Sequence, residues 1–195
     1  MYEIGEYIGY AAVFAGLFLY VSKSRKVIGI AKISAECIWI TSYLFCSLYL
    51  LCVLSIIAVV RQVVFYFRTS KEWADKKFWL YIFLALTLVS PVIEFSINGW
   101  SNLTLGMFAL ALLPPIGSVF NVYGYYSKSA LHAKFWIAPG VVLYLIYSIG
   151  VWNVPSMIGN ILSVISLVIG FINEYIKYKR NKKLEILEKV ETEND

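Results

Sequence analysis

The sequence predicts an all-α integral membrane protein of seven transmembrane helices, arranged as a 3+1+3 parallel duplication of three-helix bundles. Three observations carry that expectation. The 195-residue chain is 60% hydrophobic and 15% charged, with a mean hydropathy of +0.72, whereas a soluble domain averages about 25% charged residues. The stretch from Tyr20 to Ser70 matches the chain 105 residues later without a gap: Tyr20-Val-Ser-Lys-Ser24 falls on Tyr125-Tyr-Ser-Lys-Ser129, Trp39 on Tyr144, Ser55 on Asn160, and Ile56, Val59 and Val63 on Ile161, Val164 and Val168. Finally, the basic residues fall between alternate pairs of apolar segments, which sets an orientation.

Each apolar segment is long enough to cross a bilayer as a helix, and a helix satisfies all its backbone polar groups internally. The first, Ile4 to Val21, follows Glu3 and Glu6 rather than a basic stretch, so a removable signal peptide is not expected. The second, Val27 to Phe45, is separated from the third, Leu48 to Phe67, only by Cys46-Ser47, the weakest division in the chain. Phe78 to Ile97 is a single span linking the two units. Leu103 to Tyr123 carries Leu112-Leu113-Pro114-Pro115, and because proline removes a backbone bond this span is expected to break there. Phe135 to Gly150 and Val154 to Tyr175 complete the count. The implied domains are a first repeat (1–70), a linker helix (71–100), a second repeat (101–180) and a charged tail (181–195), expected to be a frayed helix or disordered.

Seventeen Lys and Arg orient this plan. Lys23, Arg25 and Lys26 lie between spans one and two, Arg68, Lys71, Lys76 and Lys77 between three and four, and Lys128 and Lys134 between five and six; six more follow span seven. The opposite loops contain none. By the positive-inside rule the amino terminus is outside and the carboxyl terminus cytoplasmic. A three-helix unit followed by one linking span places a second unit in the same orientation, related by an axis along the membrane normal.

Two ionisable residues lie well inside spans, where each costs about 2.5 to 3.5 kcal/mol on insertion scales and needs a partner or a wet cavity. Glu36 lies about 15 Å beyond Lys26 and Arg61 about 10 Å from Arg68, so a pair between spans two and three is within reach. It can be a structural bridge, a snorkelling arginine or a charge-coupling element. Lys32, Glu36, Trp39 and Tyr43 form one stripe of span two, and in the second repeat these positions are Ile137, Val141, Tyr144 and Ser148. Ser156, Asn160 and Ser163 line one face of span seven, with Gly170 further on; the serines and glycine favour helix packing, whereas the amide of Asn160 and its polar mate Ser55 favour a shared cavity.

For catalysis the inventory is poor. His132 is the only histidine and falls in a loop, no cysteine is placed to pair with it, and neither a phosphate loop nor a carboxylate pair is present, so an enzyme is the least expected class. Cys37, Cys46 and Cys52 lie in or beside apolar segments, and neither a disulfide framework, a metal site nor a cofactor is indicated. The net charge of +5 sits beside spans, leaving no soluble domain for nucleic acid.

Ser22-Lys-Ser-Arg-Lys26, Glu36, Trp39 and Arg61-Gln-Val-Val-Phe-Tyr-Phe-Arg68 in the first half resemble the YgjV-type bacterial inner-membrane proteins, as do Leu113-Pro-Pro-Ile-Gly-Ser118, Tyr144-Leu-Ile-Tyr147 and Pro155-Ser-Met-Ile-Gly-Asn160 in the second. The resemblance spans nearly the whole chain except the tail, and implies a bacterial inner membrane but no assigned activity. More distantly, Tyr144-Leu-Ile-Tyr-Ser followed by Pro155 and Asn160 is similar to the end of the three-helix unit in SemiSWEET, SWEET and PQ-loop transporters, where a Trp and an Asn at the positions of Tyr144 and Asn160 face a central sugar site. The Pro-Gln pair of those proteins is absent, with Ala15-Gly16 and Phe120-Asn121 in that region. What the residues and the likeness together imply is a transporter of a small polar or aromatic, sugar- or vitamin-like solute held between the repeats. Trp39 and Tyr144 would stack on it, Ser55 and Asn160 would hydrogen-bond it, and Glu36 with Arg61 would couple charge. A non-transporting scaffold is the alternative. The expected partners are the lipid bilayer and that solute, with a homo-oligomer left open.

Overall fold

The computed structural model describes residues 2–21, 25–67, 71–98, 104–127 and 130–194, and among these all regular structure is helical. The α-helices are α1 (Tyr2–Val21), α2 (Arg25–Phe45), α3 (Tyr49–Phe67), α4 (Phe78–Asn98), α5 (Leu105–Tyr126), α6 (Ala130–Gly150) and α7 (Val154–Asn194), with one 3₁₀ turn at Glu72–Asp75. Five stretches of described residues, Tyr49–Phe67, Phe78–Ile97, Leu105–Tyr126, His132–Gly150 and Val154–Asn173, are long and apolar enough to cross a membrane. Their outer faces are apolar: on α7, Ile161, Ile165, Val168 and Ile172 recur at helical spacing and stay exposed. In water such a stripe would be a liability; against lipid it costs nothing.

Six helices close into a ring. α1 packs on α2, α2 on α3, α3 on α5, α5 on α6, α6 on α7, and α7 returns to α1, while α4 sits outside against both α3 and α5. Two apolar clusters hold α4 there. Phe95 joins Tyr43, Leu50, Leu51, Leu54, Ala111 and Tyr147 near one end of the bundle, and Phe83 with Leu80 joins Val64 and Val122 near the end that carries the Lys and Arg, called the basic end below.

The two short hairpins of the ring have the same backbone. α2 ends as Leu48 N–H donates to Tyr43 O and Ser47 N–H to Leu44 O, with Ser47 in the left-handed region at φ 57°. α6 ends as Asn153 N–H donates to Ser148 O and Trp152 N–H to Ile149 O, with Trp152 at φ 53°. Each is a Schellman motif, in which a left-handed residue lets the last carbonyls find donors before the chain turns. Every one of these positions is 105 residues from its counterpart, as are the starts of α2 and α6 (Arg25, Ala130) and of α3 and α7 (Tyr49, Val154).

Sequence expectations fail at two places, and at a third, one of two expected outcomes is found. α5 does not break at its proline pair but runs through it, with Pro114 and Pro115 fully buried. A proline keeps helical φ and removes only its own N–H, and packed neighbouring helices make that tolerable in a membrane. α7 continues past Tyr175 as helix to Asn194, the helical one of the two forms expected of the tail. His132 lies not in a loop but in the first turn of α6, where it is exposed.

Candidate functional site

A cavity of about 490 Å³ occupies the middle of the ring, walled by α1, α2, α3, α5, α6 and α7 and not by α4. The local sequence makes the space. Gly5 and Gly9 let α1 approach so closely that an added Cβ would stand 2.5 Å from Cys46 Sγ and 2.7 Å from the Pro155 ring, whereas a Cβ at Gly16 would meet nothing within 4 Å. α1 is therefore clamped at one end and stands off near the basic end, where Gly16 lines the cavity. α5 and α6 instead cross tightly, with a Cβ at Gly140 only 2.6 Å from Gly117 O. Small residues are what permit such approach between helices.

All six residues singled out by the sequence, Glu36, Trp39, Ser55, Arg61, Tyr144 and Asn160, line this one cavity. Trp39 stacks on Tyr43 with ring centroids 5.3 Å apart, and Tyr43 Oη lies 3.2 Å from Ser156 Oγ, which ties α2 to α7. Tyr144 Oη is hydrogen-bonded to Ser118 Oγ, tying α6 to α5. Asn160 Nδ2 donates at 3.5 Å to Ser148 Oγ, which ties α7 to α6. Arg61 is 4% exposed, its guanidinium 5.0 Å above the Tyr125 ring and its Nε buried without a hydrogen-bond partner. Cation–π contact of this kind offsets part of the burial cost without neutralising the charge.

The lining is paired. Val13 and Ser118, Gly16 and Asn121, Glu36 and Val141, Trp39 and Tyr144, Leu54 and Gly159, Ser55 and Asn160, Ala58 and Ser163, and Arg61 and Ser166 are each 105 residues apart, and both members of all eight pairs line the cavity. The chemistry is nonetheless lopsided. Both formal charges come from the first half of the chain, while α5 and α7 contribute Ser118, Asn121, Ser156, Ser163 and Ser166.

Over residues 3–182 the chain matches the family described as Imp-YgjV, bacterial inner membrane protein. The chain belongs to the Imp-YgjV family. With several helices long and apolar enough to span, this family member is a multi-pass inner-membrane protein. No curated protein and no solved structure matches it.

Sequence reading of this Imp-YgjV protein missed part of the wall. Asn121 and Tyr125 of α5 line the cavity, and Asn121 Oδ1 is buried without a partner, packed where the α6 backbone passes at Gly140. The signal was present: Asn121 stands opposite Gly16 in the 105-residue register, and Tyr125 opposite Tyr20. Ser156 and Ser163, expected to serve helix packing, face the cavity as well, though Ser163 Oγ donates at 2.9 Å to Gly159 O of its own helix. Gly170 packs against Lys134, whose Nζ donates to its carbonyl at 3.1 Å. Of the stripe on α2, Glu36, Trp39 and Tyr43 line the cavity, and the Lys32 side chain lies outside the described residues.

Proposed function

We propose that this protein binds a small polar or aromatic solute in the central cavity and moves it across the inner membrane, as seven spans in a 3+1+3 duplication with the amino terminus outside. The observation that carries the reading is the paired lining: eight positions on each half, in one register, converge on one volume. The exchange of helix neighbours supports the duplication, since replacing α1, α2 and α3 by α5, α6 and α7 turns the α3–α5 contact into α7–α1 and leaves α4 as the outside link. The two Schellman turns support it independently. The volume falls within the usual range of about 300 to 1,000 Å³ for small-molecule sites, and aromatic walls with a few aimed polar groups are their common composition. Trp39 and Tyr144 offer the stacking surfaces, Ser55 and Asn160 the hydrogen bonds, and Glu36 and Arg61 the charge that couples binding to movement. Basic residues flanking the spans support a cytoplasmic carboxyl terminus.

A second reading has its own observation. The bonds from Tyr43 to Ser156 and from Tyr144 to Ser118 tie α2 to α7 and α6 to α5, which is what a non-transporting scaffold would need. Thermal unfolding of the purified protein against sugars, vitamins and nucleosides separates the two, followed by liposome counterflow with any hit. A solute site predicts that Trp39→Ala and Asn160→Ala fold but lose ligand stabilisation; variants that unfold, with no ligand effect in the parent, favour the scaffold.

A further inference from the structure

The cavity contains an unusual set of buried groups. Arg61, 4% exposed and permanently cationic, lines it with Nε lacking a hydrogen-bond partner. One helix away, Asn121 lines the same space, and its Oδ1 is a buried acceptor without a partner, packed where the α6 backbone passes at Gly140. The two are close in the fold, because the Arg61 guanidinium lies 5.0 Å above the ring of Tyr125 and Tyr125 is one turn along α5 from Asn121. Glu36 contributes a carboxylate to the same wall.

A buried donor or acceptor without a partner costs about 1 to 3 kcal/mol, more when charged, and a ligand that supplies the missing partner recovers that cost as affinity. A neutral polyol offers hydroxyls to Asn121 but leaves the Arg61 charge uncompensated. An anion alone answers Arg61 but carries no donor for Asn121 and adds a second negative charge beside Glu36. A solute with a carboxylate and an adjacent ammonium answers Arg61 and Asn121, and its positive charge suits a wall that holds the Glu36 carboxylate. Arginine suits the first role because its planar fork matches a carboxylate in two parallel hydrogen bonds. Resting on the solute-site reading above, we propose that the cavity takes a small zwitterionic amino carboxylate, with its carboxylate on Arg61, its N–H on Asn121 and its ammonium charge towards Glu36. Glu36 acts here through its charge and keeps its own contacts. The aromatic wall of Trp39 and Tyr144 then favours an apolar or aromatic side chain.

The test uses the full chain in detergent micelles and four probes of matched shape or opposite character: L-phenylalanine within a set of the common amino acids, 3-phenylpropionate with the carboxylate alone, phenethylamine with the ammonium alone, and D-glucose with neither. Stabilisation by at least one amino acid, with 3-phenylpropionate tenfold weaker or more and the other two inert, is the expected result. Arg61→Gln should weaken amino-acid binding by tenfold or more, and Arg61→Lys should restore part of it. Glucose or phenethylamine binding as tightly as the best amino acid overturns the zwitterion assignment and leaves a solute cavity standing. Unchanged amino-acid affinity in a folded Arg61→Gln variant overturns it too. If neither these probes nor a wider panel of sugars, vitamins and nucleosides shifts the unfolding temperature, this proposal and the solute site fall together. Should Arg61→Gln not fold, the probe series on the unaltered chain decides.

Discussion

The half of the ring made by α1–α3 and the half made by α5–α7 turn their chains in the same way and differ in how they hold them. Both hairpins end a helix with a left-handed residue, Ser47 in one and Trp152 in the other, and with the same set of backbone bonds. The helix that follows is capped by different means. α7 is capped by its own Asn153, whose Oδ1 accepts from Ser156 N at 3.0 Å, and Pro155 removes a further N–H that would need a partner. α3 has Leu48 and Leu50 in those places, and the Leu50 N–H is taken at 2.8 Å by Glu94 of α4. The lesson is that backbone geometry in a membrane is set by the need to satisfy N–H and C=O groups, while the side chains that do so are free to differ. It also gives the outer helix a task, since α4 completes the first half and the second half completes itself.

The comparison can be broken or sharpened experimentally, starting with the crossing of α5 and α6. Gly140→Ala places a Cβ 2.6 Å from Gly117 O, and overpacking of this kind costs about 1 to 3 kcal/mol. On the other half, Gly16 faces open space, so Gly16→Ala should hold or raise stability by up to about 1 kcal/mol through helix propensity. Thermal unfolding in detergent reads both, and equal losses would show that the halves pack alike after all.

Next come the caps. Glu94→Ala and Asn153→Ala should each lower stability by about 0.5 to 2 kcal/mol. Leu48→Asn gives α3 the cap that α7 uses, and in the Glu94→Ala background it should recover part of the loss; no recovery in chemical denaturation would mean that Glu94 serves α3 in some other way. Removing one hydroxyl from each half, Tyr43→Phe and Tyr144→Phe, should cost about 0.5 to 1.5 kcal/mol each, because each breaks one helix-to-helix hydrogen bond. The smallest effect is at the turns. Ser47→Gly should stabilise by up to about 1 kcal/mol, since glycine adopts the left-handed conformation without a Cβ clash. A destabilised Ser47→Gly, followed by amide exchange at Leu48, would show that the serine side chain is needed there.

Much of this arrangement was legible in the residues. The Cys46-Ser47 division, the register of 105 and the placement of Glu36, Trp39, Ser55, Arg61, Tyr144 and Asn160 on one shared space were all readable as period, spacing and charge. The proline pair was misleading, because the cost of Pro114 and Pro115 depends on what packs around them, and both are fully buried. Asn121 went unrecognised because its mate in the register, Gly16, carries no polar side-chain atom.

By itself the sequence determined the membrane class, the approximate spans and the turn between α2 and α3, since hydrophobic length, excluded charge and turn residues act locally. Only the tertiary structure decided which face of each helix looks inward. In water, apolarity marks the buried side; in lipid both sides are apolar, so hydropathy is silent and the choice falls to close packing at Gly9, Gly117 and Gly140 and to buried partners such as Ser118 for Tyr144. The same packing placed α4 outside the ring and left the cavity with two charges from one half and neutral polar groups from the other.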